Sequence, residues 1–272
     1  MEDFDKTIAP QRNTDADNFA DIEKTMAPQQ RSPEMPQRTV MLNDELCLQL
    51  IGISPGTFMM GSFDGENNEK PIHLVTLTQA YYLGKYKVTQ EQWEAVMGNN
   101  PSRFKGGNCP VEKVSWNDAI EFCEKLNRSG KAPEGWMFTL PTEAQWEFAA
   151  RGGNKSKRYK YSGSNNLDEV AWYCDNSDEQ THDVGRKIPN ELGLHDMSGN
   201  VWEWCLDLDG DYSEIALHDP TGANKGSNRV IRGGSWCYYA SNCRVASRNS
   251  SSPDDRDDFI GFRLALVPAQ KR

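Results

Sequence analysis

The spacing of apolar positions changes three times along this chain. From Val40 to Thr89 they come in short dense runs. There "LCLQLIGISPGTFMMGS" predicts a strand, a Pro-Gly turn and a second strand, and "IHLVTLTQAYYLGKYKVT" adds β-branched and aromatic strand formers. From Thr89 onward the spacing lengthens to three and four, and three helices are predicted. Each opens with a capping box, in which a hydroxyl accepts the backbone N–H three residues on and the side chain there returns the favour. Thr89 with Gln92 opens "QEQWEAVM", stopped by Gly98. Ser115 with Asp118 opens "WNDAIEFCEKLN", where Asp replaces the usual Glu and Ile120, Cys123 and Leu126 form the apolar stripe. Thr142 with Gln145 opens "EAQWEFAARGG", whose Gly pair suits a helix stop. Glu143 and Glu147 share a face of this helix, and a solvated face is expected. After Gly152 only aromatic islands remain: "VAWYC", "GNVWEWC", "RVIRGGSW" and "IGFRLALV". They predict short strands around tryptophans, the last two pairing as terminal strands across a long loop.

Residues 1–39 break this pattern. They are rich in Asp, Gln, Pro and Asn, and are predicted to be a disordered tail before one domain over 40–272. The tail repeats itself as "DKTIAPQ" and "EKTMAPQ". A duplicated linker is one reading. The other makes Thr7 and Thr25 phosphorylation or docking sites for a phospho-dependent partner.

Composition narrows the function. A net charge of -10 is a poor footprint for nucleic acid or an anionic membrane. No apolar run approaches a membrane span, and the acidic start "MEDFDKTIAPQ" lacks the apolar core of a secretory signal. Seven cysteines with no C-x-x-C pair then suggest reduced thiols and a cytoplasmic location, with display on a surface by another route left open. His73, His182, His195 and His218 form no zinc-type pair, and no nucleophile elbow or phosphate loop occurs. No organic cofactor is expected.

Two stretches carry candidate chemistry. In "GLHDMSGNVWEWCLD", Asp196, Gly199, Val201 and Glu203 space oxygen donors within one turn, as calcium requires; a plain turn burying Trp202 and Trp204 is the alternative. Cys237 and Cys243 could hold a soft metal such as Cu(I), or be unrelated. Around them the residue choice is odd. Between Cys237 and Phe259 there is no Lys, Glu, Gln, Met or Trp, although the rest of the chain uses all five.

Taken in order, "GTFMMGS", "YYLGKYKVTQEQWEAVMG", "CPVEKVSWNDAIEFCEKLN", "LPTEAQWEFAARGG", "NELGLHDMSGNVWEWCLD", "RVIRGGSW" and "GFRLA" resemble the formylglycine-generating-enzyme (sulfatase-modifying factor) type of domain. The resemblance spans about residues 48–267. It implies an α+β, loop-rich C-type lectin fold, and it implies calcium at Asp196, Gly199, Val201 and Glu203. Fold alone does not choose among the branches of that family. Its sulfoxide synthases carry an N-terminal helical domain with an iron-binding His set, which residues 1–39 do not match. Its copper oxidases carry two cysteines after the Gly-Gly-Ser turn. Here Cys243 does not fall at the catalytic position once Arg248 is aligned.

The third branch accounts for the odd segment. Variable proteins of diversity-generating retroelements, the treponeme type among them, are rewritten at adenines of Asn codons. Randomised codons that end in a pyrimidine cannot encode Lys, Glu, Gln, Met or Trp. On this resemblance the variable, ligand-binding positions are Cys237, Tyr238, Tyr239, Ser241, Asn242, Ser247, Asn249, Ser250, Ser251, Ser252, Asp254, Asp255, Asp257, Asp258 and Phe259, with Cys243 part of the scaffold. The expectation is a binder of a protein or other macromolecule, with Tyr238, Tyr239 and Phe259 as anchors and the aspartates favouring a basic target. Arg244, Arg248, Arg256 and Arg263 fall outside the variable set and should hold the loop. An oxidase using Cys237 and Cys243, and an undiversified binding module, are the alternatives.

Overall fold

A computed structural model describes residues 35–269. The predicted disordered tail, apart from its last residues, and the sites at Thr7 and Thr25 lie outside the described residues. Among the described residues the first strand straddles the expected boundary at 40. Strand β1 (Arg38–Met41) pairs antiparallel with β2 (Cys47–Ile53), and Met35 lies so close to Gly52 that an added Cβ there would sit 2.4 Å from it.

Three sheets follow. In the first, β2 pairs with β5 (Tyr81–Gly84), β5 with β12 (Ala265–Pro268), and β12 with β6 (Trp136–Thr139), so the last strand returns to the first part of the domain. The second joins β3 (Gly56–Met60), β4 (His73–Leu77) and the short β8 (Leu217–His218). The Pro-Gly turn therefore does not close a hairpin: it passes the chain from one sheet to another. The third sheet has the order β10 (Arg248–Ser251), β9 (Arg229–Arg232), β7 (Trp202–Leu208), β11 (Ile260–Gly261). Here too the structure corrects the expectation. "RVIR" and "IGFR" do not pair, because β7 lies between them, antiparallel to β9 and parallel to β11.

All three capping boxes form, including the Ser115–Asp118 one, opening α1 (Gln90–Met97), α2 (Trp116–Arg128) and α3 (Glu143–Ala150). Helix α2 buries Ala119, Phe122, Cys123 and Leu126, so its inward face is rotated from the expected stripe and Ile120 is only half-buried. Trp93, Phe122 and Phe262 interlock there at centroid distances of 5.5–6.0 Å, fixing α1 and α2 against the segment before β12. "VAWYC" forms no strand; it follows the single turn α4 (Leu167–Val170).

Helix α3 overturns another expectation. Glu143 and Glu147 are buried rather than solvated. Arg248 grips Glu143 with two bonds of 2.7 and 2.9 Å, and Glu147 is bound by Arg151 and Arg232. A buried carboxylate is tolerated only when paired in this way. Among the described residues no helix is long and apolar enough to cross a membrane.

Candidate ligand-binding surface

Strand β9 is followed by Gly233 and Gly234, both at positive φ (100° and 77°), a conformation that glycine adopts without strain. The chain then turns through Trp236, makes a short turn over Ala240–Cys243, enters β10, and loops over 252–259 into β11. Fourteen of the fifteen inferred variable positions are exposed or half-exposed. Between them Cys243, Val245, Ala246 and Arg248 are buried. The exception is Ser247, at 4 % exposure, whose carbonyl accepts a bond from the buried Arg232. That corrects the sequence expectation: Ser247, just ahead of β10, is buried with the scaffold and does not face a ligand.

The three aromatic anchors are unequal. Tyr239 projects at 73 % exposure. Tyr238 and Phe259 instead stand on the core. Tyr238 meets the buried Trp202 edge-on at 5.5 Å and Phe259 at 5.4 Å. Trp202 also donates its backbone N–H to the Phe259 carbonyl. Tyr239→Ser should therefore change stability by less than about 0.5 kcal/mol. Tyr238→Ser and Phe259→Ser should each cost about 1–3 kcal/mol, since each exposes part of the Trp202 floor. Urea unfolding of the three variants checks this ordering; equal losses would place Tyr239 in the core.

The aspartates are not free carboxylates awaiting a basic target, as the sequence suggested. Asp258 pairs with Arg103 at 2.6 Å, and Asp254 accepts the Asn117 amide at 2.7 Å. Asp255 accepts from Ser251 and from the Ser252 backbone. Asp257 is raised above the usual carboxylate range by burial and by Asp255 and Asp258 beside it. The loop thus spends most of its negative charge on its own frame. All four arginines hold carboxylates: Arg244 on Glu69, Arg248 on Glu143, Arg256 on Asp118 and Arg263 on Glu203. Sequence reasoning missed Arg103, Phe104, Asn117 and Asp118 as the rim. Phe104 packs edge-on to Trp236 at 5.2 Å, and Trp236 donates to the Asp258 carbonyl. The one local signal was Asp118, whose carboxylate both caps α2 and receives Arg256.

The cysteines do not present a matched pair of thiolates. Cys237 is exposed with its sulfur 3.4 Å from the Ser235 hydroxyl. Cys243 is fully buried among Tyr161, Leu167 and Val170, and burial pushes its thiol up to about 12. An apolar enclosure of this kind disfavours the thiolate that a soft metal needs.

Nor do Asp196, Gly199, Val201 and Glu203 form a cage for calcium. The ammonium of Lys87 donates to the Val201 carbonyl at 2.9 Å and to Glu203 Oε1. Arg263 adds two bonds to the same carboxylate, at 2.6 and 2.8 Å. Gly199 donates its N–H to the Gly233 carbonyl, and Asp196 Oδ2 accepts from the Gly185 N–H. Glu203 already holds both cations, so a divalent ion would have to displace the Lys87 ammonium from this carboxylate and from the Val201 carbonyl.

A cavity of about 200 Å³ lies among Glu143, Asp207, Tyr212 and Leu217, and contains none of the fifteen positions. The candidate surface is a face, not a cleft.

The sulfatase-modifying factor enzyme 1-like domain matches residues 35–267. The chain belongs to this family. Its α+β architecture is the C-type lectin fold of the formylglycine-generating-enzyme type. Treponema denticola variable protein 1 is similar over 86 % of this chain and all of its own, at 36 % identity and a TM-score of 0.79. The chaperone protein LppX of Paenibacillus barcinonensis is 39 % identical over 68 % of this chain and 79 % of its own length. The formylglycine-generating enzyme of Streptomyces coelicolor is 39 % identical over 58 % of this chain, which spans 52 % of that enzyme. The similarity is thus shared by a variable protein, a chaperone protein and an enzyme, so the fold alone does not choose a function.

Proposed function

We propose that this protein is a ligand-binding scaffold and not an enzyme, and that the face built by residues 237–259 is diversified by a retroelement. One observation carries the reading: the fold exposes or half-exposes every position inferred from a codon constraint except Ser247, while Cys243, Val245, Ala246 and Arg248 among the residues between them are buried. A randomising process is tolerated best where side chains contribute little to stability, as at the projecting Tyr239; Tyr238 and Phe259, which rest against the core, are the costlier positions. The similarity to a treponeme variable protein over its whole length supports the same reading, and one relative is named a chaperone protein rather than an enzyme.

The mechanism of binding follows from the geometry. A rigid frame carries Tyr239 as a projecting anchor, Tyr238 and Phe259 as a half-buried aromatic ledge, and Ser241, Asn242, Asn249 and Ser250 as adaptable hydrogen-bonding groups. Large aromatic area with few rotors to freeze gives affinity, and small polar groups give fit. The ligand is a protein or another macromolecule with a flat or convex surface. The pairing of the aspartates with Arg103, Asn117 and the loop itself removes the reason to require a basic partner.

The gene tests this directly. All fifteen codons are expected to end in C or T, with an Asn-rich near-copy and a reverse transcriptase gene in the flank. Mixed third bases and no near-copy would reduce the segment to an ordinary loop. An oxidase reading is tested separately by supplying Cu(I), dioxygen and a cysteine-containing sulfatase peptide; the expected result is no formylglycine.

A further inference from the structure

The position where the family's calcium would sit is filled from within the chain. Lys87 lies just ahead of α1, and its side chain is fully buried. Its ammonium contacts the Val201 carbonyl and the Glu203 carboxylate, which flank Trp202 on either side. Both side chains of the pair are fully buried and in direct contact, and Arg263 binds the same carboxylate at 2.6 Å, so the carboxylate is shared between two cations. Asp196 contributes a second carboxylate nearby, with one oxygen buried and without a hydrogen-bond partner.

We infer that the Lys87 ammonium is the resident cation of this domain: it takes the place of a divalent ion, ties α1 to the segment entering β7, and holds the Trp202 floor under Tyr238 and Phe259. Trp202 is the contact that matters for the binding face. Its ring supports Tyr238 at 5.5 Å, its backbone N–H bonds the Phe259 carbonyl, and its two neighbours in sequence are the groups that Lys87 clamps. A covalently attached cation cannot be removed by a chelator or diluted away. The binding face is consequently preorganised whatever the calcium concentration, which a metal-held floor would not be.

The test uses the whole chain and thermal melting. With millimolar CaCl2 or with EDTA, the native chain is expected to melt within about 1 °C of the same temperature. Lys87→Ala and the volume-keeping Lys87→Met should each melt lower by on the order of 10 °C, since each leaves a buried carboxylate short of a partner. In Lys87→Ala the vacated space and the freed oxygens should make the melt responsive. Ethylammonium chloride should raise it by several degrees relative to equal NaCl, and leave the native chain unmoved. A native chain that gains several degrees with CaCl2 overturns the inference, and so does a Lys87→Met variant that melts with the native chain. The calcium arm needs no variant, so it decides even if both substitutions prevent folding.

Discussion

Glu203→Gln is expected to lower the stability of the domain by about 3–5 kcal/mol, because it strips the compensating charge from two buried cations at once. The Glu203 carboxylate is fully buried and accepts from Arg263 Nε at 2.6 Å, Arg263 Nη2 at 2.8 Å and the Trp146 indole at 2.8 Å, besides Lys87. Glutamine keeps the volume and one acceptor oxygen. It turns the other acceptor into an NH2 group facing donors, so Arg263 and Lys87 lose charge and partner together. The exposed pair of Arg256 with Asp118 has similar distances, 2.8 and 2.9 Å, yet its arginine is half in solvent. Losing that pair should cost at most about 1 kcal/mol, since water screens both groups. Urea unfolding of Glu203→Gln and Asp118→Asn at pH 7 measures the contrast, and a loss below about 1 kcal/mol for Glu203→Gln would show that Glu203 does not compensate the two buried cations. The pH dependence has a definite sign. Arg263 and Lys87, against the effect of burial, hold Glu203 below the ordinary carboxylate range. Its contribution is present above the unfolded value of about 4.3 and is lost as pH falls through the lower folded value. The native and Gln curves should therefore converge below about pH 4.

What could be read in the sequence was local or periodic. The three capping boxes lie within three residues of their partners, so Thr89, Ser115 and Thr142 announced α1, α2 and α3 without tertiary information. The candidate face was singled out by a different kind of signal, a set of residue types missing between Cys237 and Phe259, which the proposed function attributes to codons rather than to contacts. What failed was decided by residues far apart in the chain. Asp258, Asp254 and Arg256 find Arg103, Asn117 and Asp118 across more than a hundred residues, so no spacing rule links them. The same holds for β7, which inserts between β9 and β11, and for Glu143 and Glu147, whose arginines arrive from β9 and β10. Lys87 shows the limit most sharply. Spacing within one motif says nothing about a lysine that reaches Val201 and Glu203 from more than a hundred positions away. Long-range charge pairing also lets a chain with a mean hydropathy of -0.76 over its whole length carry a real core. Several arginines and carboxylates that count as polar are in fact inside it.

A second large effect is expected at Asp207, with the opposite sign. This carboxyl is buried beside the 200 Å³ cavity, and its Oδ2 accepts the Glu143 N–H at 2.9 Å. Burial first, and then the neighbouring Glu143 carboxylate, push it up to about 8. Glu143 keeps its charge because Arg248 and Arg232, opposing its burial, hold it below the ordinary range, which leaves Asp207 as the member of the pair that carries the proton. The folded state thus binds a proton that the unfolded chain, with an ordinary value of about 3.9, releases. This group's contribution is fully present below about pH 4 and is lost as pH rises towards about 8, so stability should fall across that window. Asparagine mimics the protonated acid: it keeps an oxygen for the Glu143 N–H and has no proton to lose. Asp207→Asn should match the native chain near pH 4.5 and exceed it at pH 8 by about 2–4 kcal/mol, less than the linkage ceiling of roughly 1.4 kcal/mol per pH unit because relaxation around the cavity offsets part of it. Urea midpoints of both chains at pH 4.5, 6 and 8 measure the difference directly. Parallel curves would show that Asp207 is ionised in the fold, and that a cation or ordered water in the cavity compensates it.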